Sequence, residues 1–382
     1  MFLGALSGFT VAVTADRRAE EQAQLIARRG GEVTFGPVIK TKPLADEAAL
    51  EEATRQLLID PPDVAVLSTA LGVRGWFSAV EALGLADDLS QVLDAAEVIV
   101  RGPKASGAAL TAGVDVDWQA TSATYREIVE YMAARPTVDA AGKPIRVAVQ
   151  LDGDPRSSLA ARLSGLGYDV VTVPVYEWHL PDDLTAAERV VSAVADGTVD
   201  AVTFTSAHAV TNFAVIADRV GLLSEVLASV SRGTVAVVCV GPVTAERARS
   251  VGFESCIEPA NARLGAMVQA LVSAFSNRVV EVDLDGTPVL MQGRMVSVGD
   301  GEPVRLTERE RAVLGLLAKR PGAVVSKQTL LEQVWAGESD DHVVEVTIGR
   351  LRRRLGDAGG SIETVVRRGY RLAVRCVQRL TL

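Results

Sequence analysis

The chain has 382 residues, with 39 basic and 48 acidic side chains giving a net charge of −9, and 48% of its residues are hydrophobic. That length fits two or three domains, and the composition excludes a disordered or collagen-like chain. Three cysteines (Cys239, Cys256, Cys376) and three histidines (His179, His208, His342) are too scattered for a disulfide framework or a metal site, so a reducing, cytoplasmic setting is expected.

The apolar start at 1–9 lacks a basic leader and is expected to run straight into the first strand. Up to residue 275 the chain reads as α/β. Strands are predicted at Val11–Thr14, Val33–Phe35, Val64–Ser68, Val98–Arg101, Arg146–Leu151, Val170–Val175, Ala201–Thr205 and Val235–Val240. Helical stretches separate most of them, which favours parallel sheets. No apolar run approaches the roughly 18–20 residues that span a bilayer, so no membrane association is expected.

A repeat runs through this region. The segment beginning Asp63-Val64-Ala65 and ending Ser68-Thr69-Ala70 matches the one beginning Asp200-Ala201-Val202 and ending Thr205-Ser206-Ala207. Arg101-Gly102-Pro103 likewise matches Val240-Gly241-Pro242. The order of the repeats predicts a first lobe made of 1–38 plus 177–275, with a second lobe, 39–176, inserted into it. The proline-bearing segments near 37–43 and 173–181 are expected to run side by side, and a cleft between two such lobes is a usual ligand site.

Hydroxyls and glycines sit where strands end and helices begin: Thr14, Ser68, Thr69, Gly102, Ser206, Gly241 and Thr244. Free N–H groups at such positions suit carboxylates or phosphates, although Ser and Thr are also ordinary helix caps. Arg17 and Arg18 could add cations or could be solvated first-turn residues. Neither a Walker loop nor a dinucleotide fingerprint is present.

These residues resemble uroporphyrinogen-III synthase. The carriers are the paired Asp…Ser/Thr units, Gly241-Pro242-Val243-Thr244-Ala245 and Val175-Tyr176. The resemblance implies two α/β lobes joined by a two-stranded ladder and cyclisation of the linear tetrapyrrole hydroxymethylbilane, with no metal or organic cofactor. It implies a catalytic role for Tyr176 in departure of the substrate hydroxyl, and substrate contacts from Thr244 and Ser206. Ala105 stands where the family has threonine, and Leu71-Gly72 and Trp76-Phe77 make the first Ser-Thr unit more apolar. Fewer hydroxyls on one wall would weaken turnover yet leave tetrapyrrole binding.

From residue 276 the pattern changes. Strands at Val279–Leu284, Val289–Gln292 and Val296–Val298 surround Asp285-Gly286 and Asp300-Gly301 turns. Helices follow near 308–319, 327–335 and 341–355, then a hairpin of Ile362–Val366 and Tyr370–Val374. Residues 303–382 carry 15 basic and 9 acidic side chains, against 24 and 39 in residues 1–302, so the tail is suited to a polyanion. In the third helix Val344, Ile348, Leu351 and Leu355 form an inner stripe, which puts Thr347, Arg350 and Arg354 outside with Arg352 and Arg353 flanking.

This order resembles the winged-helix domain of OmpR/PhoB-type response regulators, expected over 279–382. The resemblance implies double-stranded DNA as partner. Thr347, Arg350, Arg352, Arg353 and Arg354 would lie on or beside the recognition face, with a wing bearing Thr364, Arg367 and Arg368. The usual wing arginine after Thr-Val is Val366 here. No aspartyl-phosphate receiver pattern precedes the domain. The leading expectation is a cytoplasmic DNA-binding regulator, dimeric on DNA in one arrangement, whose synthase-like part senses a tetrapyrrole or other polyanion. An active or bifunctional synthase carrying a DNA-binding domain is the alternative, and a module that binds mainly another protein is a third class.

Overall fold

The computed structural model describes residues 3–43, 48–153, 158–284, 286–335, 337, 340–373 and 376–378, without the side chains of Pro43 and 376–378. Asp285 of the expected turn, Val374 at the end of the expected hairpin and the Cys376 side chain therefore lie outside the description. The chain divides into two compact units, residues 40–180 and residues 1–39 with 181–382.

Residues 40–180 hold a five-stranded parallel sheet in the order Trp118–Gln119, Glu97–Val100, Val64–Leu67, Arg146–Gln150, Asp169–Val173. Val64–Leu67 is buried along its whole length, because helices cover both faces of a parallel sheet. One core face contains Leu67, Trp76, Leu89, Leu93 and Val100. Trp76 is 1% exposed, and its indole N–H donates to Thr54 Oγ1 at 2.9 Å, so the polar end of the buried ring is satisfied.

The two segments expected to run side by side are short strands. Lys40–Pro43 pairs antiparallel with Tyr176–His179, placing Pro43 opposite Tyr176 and Lys40 opposite His179. This pairing carries the boundary of the inserted unit to residue 180.

The other unit repeats the same sheet. Its order is Cys256–Ile257, Ala236–Cys239, Ala201–Phe204, Thr10–Val13, Glu32–Phe35, again all parallel. Thr69 and Ser206 are equivalent N-caps, accepting the amides of Gly72 and Ala209 respectively. Gly102 and Gly241 precede helices Pro103–Thr111 and Pro242–Val251 in extended backbone. A Cβ at either glycine would stand 2.8 Å from the Cβ of Ala123 or Ala262, so close loop packing demands glycine in both repeats.

The same unit carries the C-terminal domain. An antiparallel sheet has the order Val304–Arg305, Met295–Val298, Thr287–Gln292, Val280–Leu284, Cys376–Gln378. Helices Glu308–Lys319, Lys327–Trp335 and His342–Arg354 follow, then the hairpin Ile362–Val365 with Gly369–Leu372. Thr307 opens the first helix with a complete capping box: it accepts the Glu310 amide while Glu310 accepts the Thr307 amide. Leu314, Leu330, Ile348, Leu351, Tyr370 and Val282 share one core, which joins the lead-in sheet, the helices and the hairpin. Among the described residues no helix is long and apolar enough to cross a membrane.

Trp76→Ala should remove about 3–5 kcal/mol from the stability of residues 40–180 by leaving a large cavity. Denaturant unfolding followed by hydrogen exchange in strand Val64–Leu67 measures this.

Candidate functional site

In residues 40–180 the carboxyl ends of the central strands carry Ser68-Thr69, Arg101-Gly102 and Gln150 to Asp152. Gln150, 1% exposed, organises them. Its Oε1 accepts the Ser68 and Thr69 amides at 3.2 and 3.1 Å, while Ser68 Oγ donates to the Gln150 carbonyl at 2.6 Å. A Cβ on Gly72 would lie 1.9 Å from Gln150 Nε2, so the apolar Leu71-Gly72 turn exists to make room for this amide. Ser68, expected as a ligand contact, is 2% exposed and serves the sheet.

Thr69 Oγ1 lies 3.1 Å from the Tyr176 hydroxyl. Tyr176 is buried and meets Trp178 edge-on with ring centroids 5.3 Å apart. The Trp178 indole N–H donates to the Asp152 carbonyl at 2.5 Å. Gly153, at φ 92°, lets the loop pass against both rings, where a Cβ would come within 2.5–2.6 Å of them. The Tyr176 ring and hydroxyl are thus held in one orientation at the start of strand Tyr176–His179.

Arg101 reaches Asp152 at 3.4 Å and stacks over Tyr125 with its guanidinium 4.9 Å from the ring centroid. Burial pushes the Tyr125 phenol well above its ordinary range; Arg101 opposes that rise and Asp152 adds to it. Tyr125 therefore stays a neutral donor. Sequence reasoning missed Gln150, Asp152 and Tyr125 as site residues and used Arg101 as a strand end and part of the repeat. Their one signal is position, immediately after apolar strands or at the start of a helix.

Loop 121–124 closes over Gly102, with Ala123 in left-handed backbone at φ 54°. Glu127 holds it, accepting the Thr121 and Ser122 amides at 2.8 and 2.7 Å and the Ser122 hydroxyl at 2.5 Å. These bonds, the Ser122 hydroxyl foremost, lower the Glu127 pKa from 4.5 to about 2.

In the other lobe Thr14 is fully buried and donates to the Thr203 carbonyl at 2.6 Å. Thr203 Oγ1 donates to the Ala12 carbonyl at 2.9 Å and accepts from Gln22 Nε2 at 2.7 Å. Thr14 is therefore a cross-strand clamp and not an exposed ligand contact, because its side chain points back into the sheet. Ser206 is half-buried and caps its helix, whereas Thr244 is 4% exposed. Arg17 and Arg18 are exposed; Arg18, at φ 58°, forms a 2.6 Å ion pair with Glu21. Arg18 is the N-cap of the helix Ala19–Ala27.

In the C-terminal domain the third helix buries Val344, Ile348 and Leu351 as its spacing predicts, and buries Thr347 with them. Thr347 is 7% exposed and donates to the Val343 carbonyl at 2.7 Å, so it belongs to the inner face, contrary to the expected outward placement. Arg352 is turned toward the hairpin, donating to the Ile362 carbonyl at 2.5 Å and to Thr364 Oγ1 at 2.9 Å. Arg354 pairs with Glu310 at 3.0 Å and donates to the Arg305 carbonyl. Burial resists ionisation of Glu310, but the Thr307 amide and Arg354 outweigh it and keep its pKa below the ordinary value.

Arg350, Arg353, Arg367 and Arg368 remain exposed, and among the described residues none has a carboxylate partner. Arg367 lies in left-handed backbone at φ 62° in the hairpin turn. Glycine is required two residues on, at Gly369, since a Cβ there would come within 2.1 Å of the Val325 carbonyl oxygen. The outcome is a cationic helix face beside a cationic wing.

Comparison with known proteins matches both halves. The family profile "Uroporphyrinogen-III synthase HemD" matches residues 20–269, and "Transcriptional regulatory protein, C terminal" matches 301–372. "Uncharacterized protein YjjA" of Bacillus subtilis is 29% identical over 273 residues, 72% of this chain and 98% of that protein. A crystal structure of a mutant uroporphyrinogen III synthase from the extremely thermophilic bacterium Thermus thermophilus superposes with a TM-score of 0.57 at 28% identity, covering 69% of this chain and 97% of that one. "Two-component response regulator PhoP" of Pseudomonas aeruginosa is 37% identical over 123 residues, 31% of this chain; the chain spans about half of that regulator, 53% of its length.

Arg350→Ala and Arg353→Ala should each reduce the salt slope of duplex binding by about one, as loss of one phosphate contact does. Arg354→Ala should instead lower stability by about 1–3 kcal/mol by stranding the buried Glu310 carboxylate. Salt titrations of duplex affinity and thermal unfolding separate the two outcomes. The order that Glu127 gives to loop 121–124 should be complete above pH 4.5 and lost as pH falls through about 2. Thr121 and Ser122 amide NMR shifts should titrate together with that midpoint in the wild type and stay flat in Glu127→Gln.

Proposed function

The chain belongs to the uroporphyrinogen-III synthase HemD family over residues 20–269 and carries an OmpR/PhoB-type DNA-binding domain at 301–372, and from this premise we propose that it is a transcriptional regulator whose synthase-like part is its sensor. The observation that carries the DNA-binding half is the set of exposed guanidinium groups on the third helix and wing, Arg350, Arg353, Arg367 and Arg368, beside arginines that the fold itself consumes. Phosphate contacts position such a domain on duplex DNA, and the helix face reads base edges in the major groove.

The ligand in this reading is a polycarboxylate, with a tetrapyrrole of the synthase reaction as first choice. Supporting it are the strand-end groups that can donate to carboxylates: Thr69, Tyr176 and Arg101 in residues 40–180, with Ser206 and the amides after Gly241 in the other lobe. A ligand changes DNA affinity only by binding two states differently, so the sensor role is a coupling between two binding sites.

A second reading, a working synthase with a DNA-binding appendage, draws on one observation. The Tyr176 hydroxyl is fixed 3.1 Å from Thr69 Oγ1, an arrangement able to assist loss of the substrate hydroxyl.

Anaerobic titration with hydroxymethylbilane and with uroporphyrinogen III should release or absorb heat and shift duplex affinity about fivefold or more. Absence of both signals rejects the sensor. For the second reading, the full chain should form the type III isomer faster than the spontaneous type I background, with Tyr176→Phe falling by tenfold or more. Turnover equal to background rejects it.

A further inference from the structure

The amino end of the first lobe's sheet is occupied by the C-terminal domain. Asp200, 1% exposed, uses both carboxylate oxygens there. Oδ2 accepts the Thr10 amide at 2.8 Å, inside the lobe, and Oδ1 accepts from Arg311 of the helix Glu308–Lys319 at 2.6 Å. Around this pair the contact widens. Arg294 donates its amide to the Gly8 carbonyl at 2.8 Å and its side chain to the Thr198 carbonyl at 2.6 Å. Gln292 Nε2 donates to the carbonyls of Gly4 and Ser7 at 2.6 and 3.1 Å. Arg305 makes a two-pronged pair with Glu32. Gly8 and Gly293 allow the two backbones to touch, since a Cβ on Gly293 would stand 2.4 Å from the Gly8 carbonyl oxygen.

The internal repeat supplies the control. Asp63 is the counterpart of Asp200, and its Oδ2 accepts the Arg146 amide at 2.8 Å as Asp200 accepts Thr10. The sheet-building task of the aspartate is thus common to both repeats, and the bond to the first helix of the C-terminal domain is the addition made at Asp200.

We propose that this surface is an inhibitory dock: while Asp200 and Glu32 hold Arg311 and Arg305, the DNA-binding domain is in its weak-binding state. The dock neutralises two of the domain's cations. It also keeps the DNA-binding domain, through its lead-in sheet and the helix Glu308–Lys319, against a lobe in which residues 1–39 and 181–275 carry 14 acidic against 10 basic side chains. Duplex DNA approaching the docked domain meets that like charge, so release favours binding, most strongly at low salt. This inference rests on the reading that the domain binds DNA, and goes beyond it by naming the contact that restrains binding.

The test uses the full chain and a duplex enriched from random sequence by the wild type and, separately, by Asp200→Asn. Asp200→Asn keeps an acceptor for the Thr10 amide and removes the charge that holds Arg311. Glu32→Gln makes a milder release at an exposed pair that folding does not need, and leaves every residue of the DNA-binding domain intact. Asp63→Asn reports any general effect on such a sheet. The Arg294 amide should exchange faster in Asp200→Asn and Glu32→Gln. Duplex affinity should rise at least about threefold in Asp200→Asn and by a smaller factor in Glu32→Gln, and stay within about twofold of wild type in Asp63→Asn. Faster Arg294 exchange without tighter binding overturns the dock, as does unchanged exchange in both variants or an Asp63→Asn effect equal to that of Asp200→Asn. Should Asp200→Asn fail to fold, Glu32→Gln alone decides. Failure of wild type and variants to enrich any duplex sinks the DNA-binding reading itself, whereas wild-type binding with no gain in the variants sinks only the dock.

Discussion

One aspartate at the amino end of a central strand ties each parallel sheet of this chain together. Asp63 donates its amide to the Arg146 carbonyl, accepts the Arg146 amide on its side chain and accepts the Glu97 amide on its carbonyl. Asp200 does the same with Thr10 on one side and Ala236 on the other. Three neighbouring strands are thereby fixed to one residue. A slip in register would leave the carboxylate without its amide donor; Asp63 is exposed, whereas Asp200 is buried, where an unmet bond is most costly. The paired residues Val64↔Val147 and Val11↔Ala201 follow from that constraint. At Asp200 the same buried charge has one oxygen to spare, and Arg311 supplies the donor.

At the opposite end of the sheets the two repeats have diverged. In residues 40–180 a glutamine collects the strand-end amides and frees Thr69 to meet a tyrosine. In the other lobe Thr14, Thr203 and Gln22 bond one another and the strands beneath them. Polar residues at strand ends therefore fall into two groups: those that bond the strands themselves, and those that bond the helices and loops beyond them. Thr69 and Ser206, which cap helices, and Tyr176 and Arg101, which meet Thr69 and Asp152, belong to the second group. The distinction lies in partners, since all these side chains are of the same chemical kinds.

Much of the scaffold is legible in the sequence because it rests on local rules. The helices Glu308–Lys319 and Lys327–Trp335 start and stop where capping residues and the Pro321-Gly322 break demand. The duplicated sheet is legible because Asp63 and Asp200 open matching apolar runs. The pairing of Lys40–Pro43 with Tyr176–His179 is legible from the order of the repeats, although neither segment has a strong strand pattern of its own. Gln150 is invisible as an organiser: its importance depends on the space above Gly72, which only the folded chain defines.

The recognition helix shows why counting cations overstates a nucleic-acid surface. Its period identifies the buried stripe, but a threonine can satisfy its hydroxyl on its own helix, as Thr347 does on Val343, and so be buried without any outside partner. Arg352 and Arg354 sit in the same cationic run as Arg350 and Arg353. Nevertheless one fastens the hairpin to the helix and the other neutralises a carboxylate buried by a capping box. Such arginines lose the fold's own bonds if they turn to DNA, while an arginine without a carboxylate partner gives up less. The salt dependence of binding is therefore set by the guanidinium groups that the fold leaves unpaired, and any contact that occupies or liberates an arginine elsewhere in the domain acts on DNA affinity through that number.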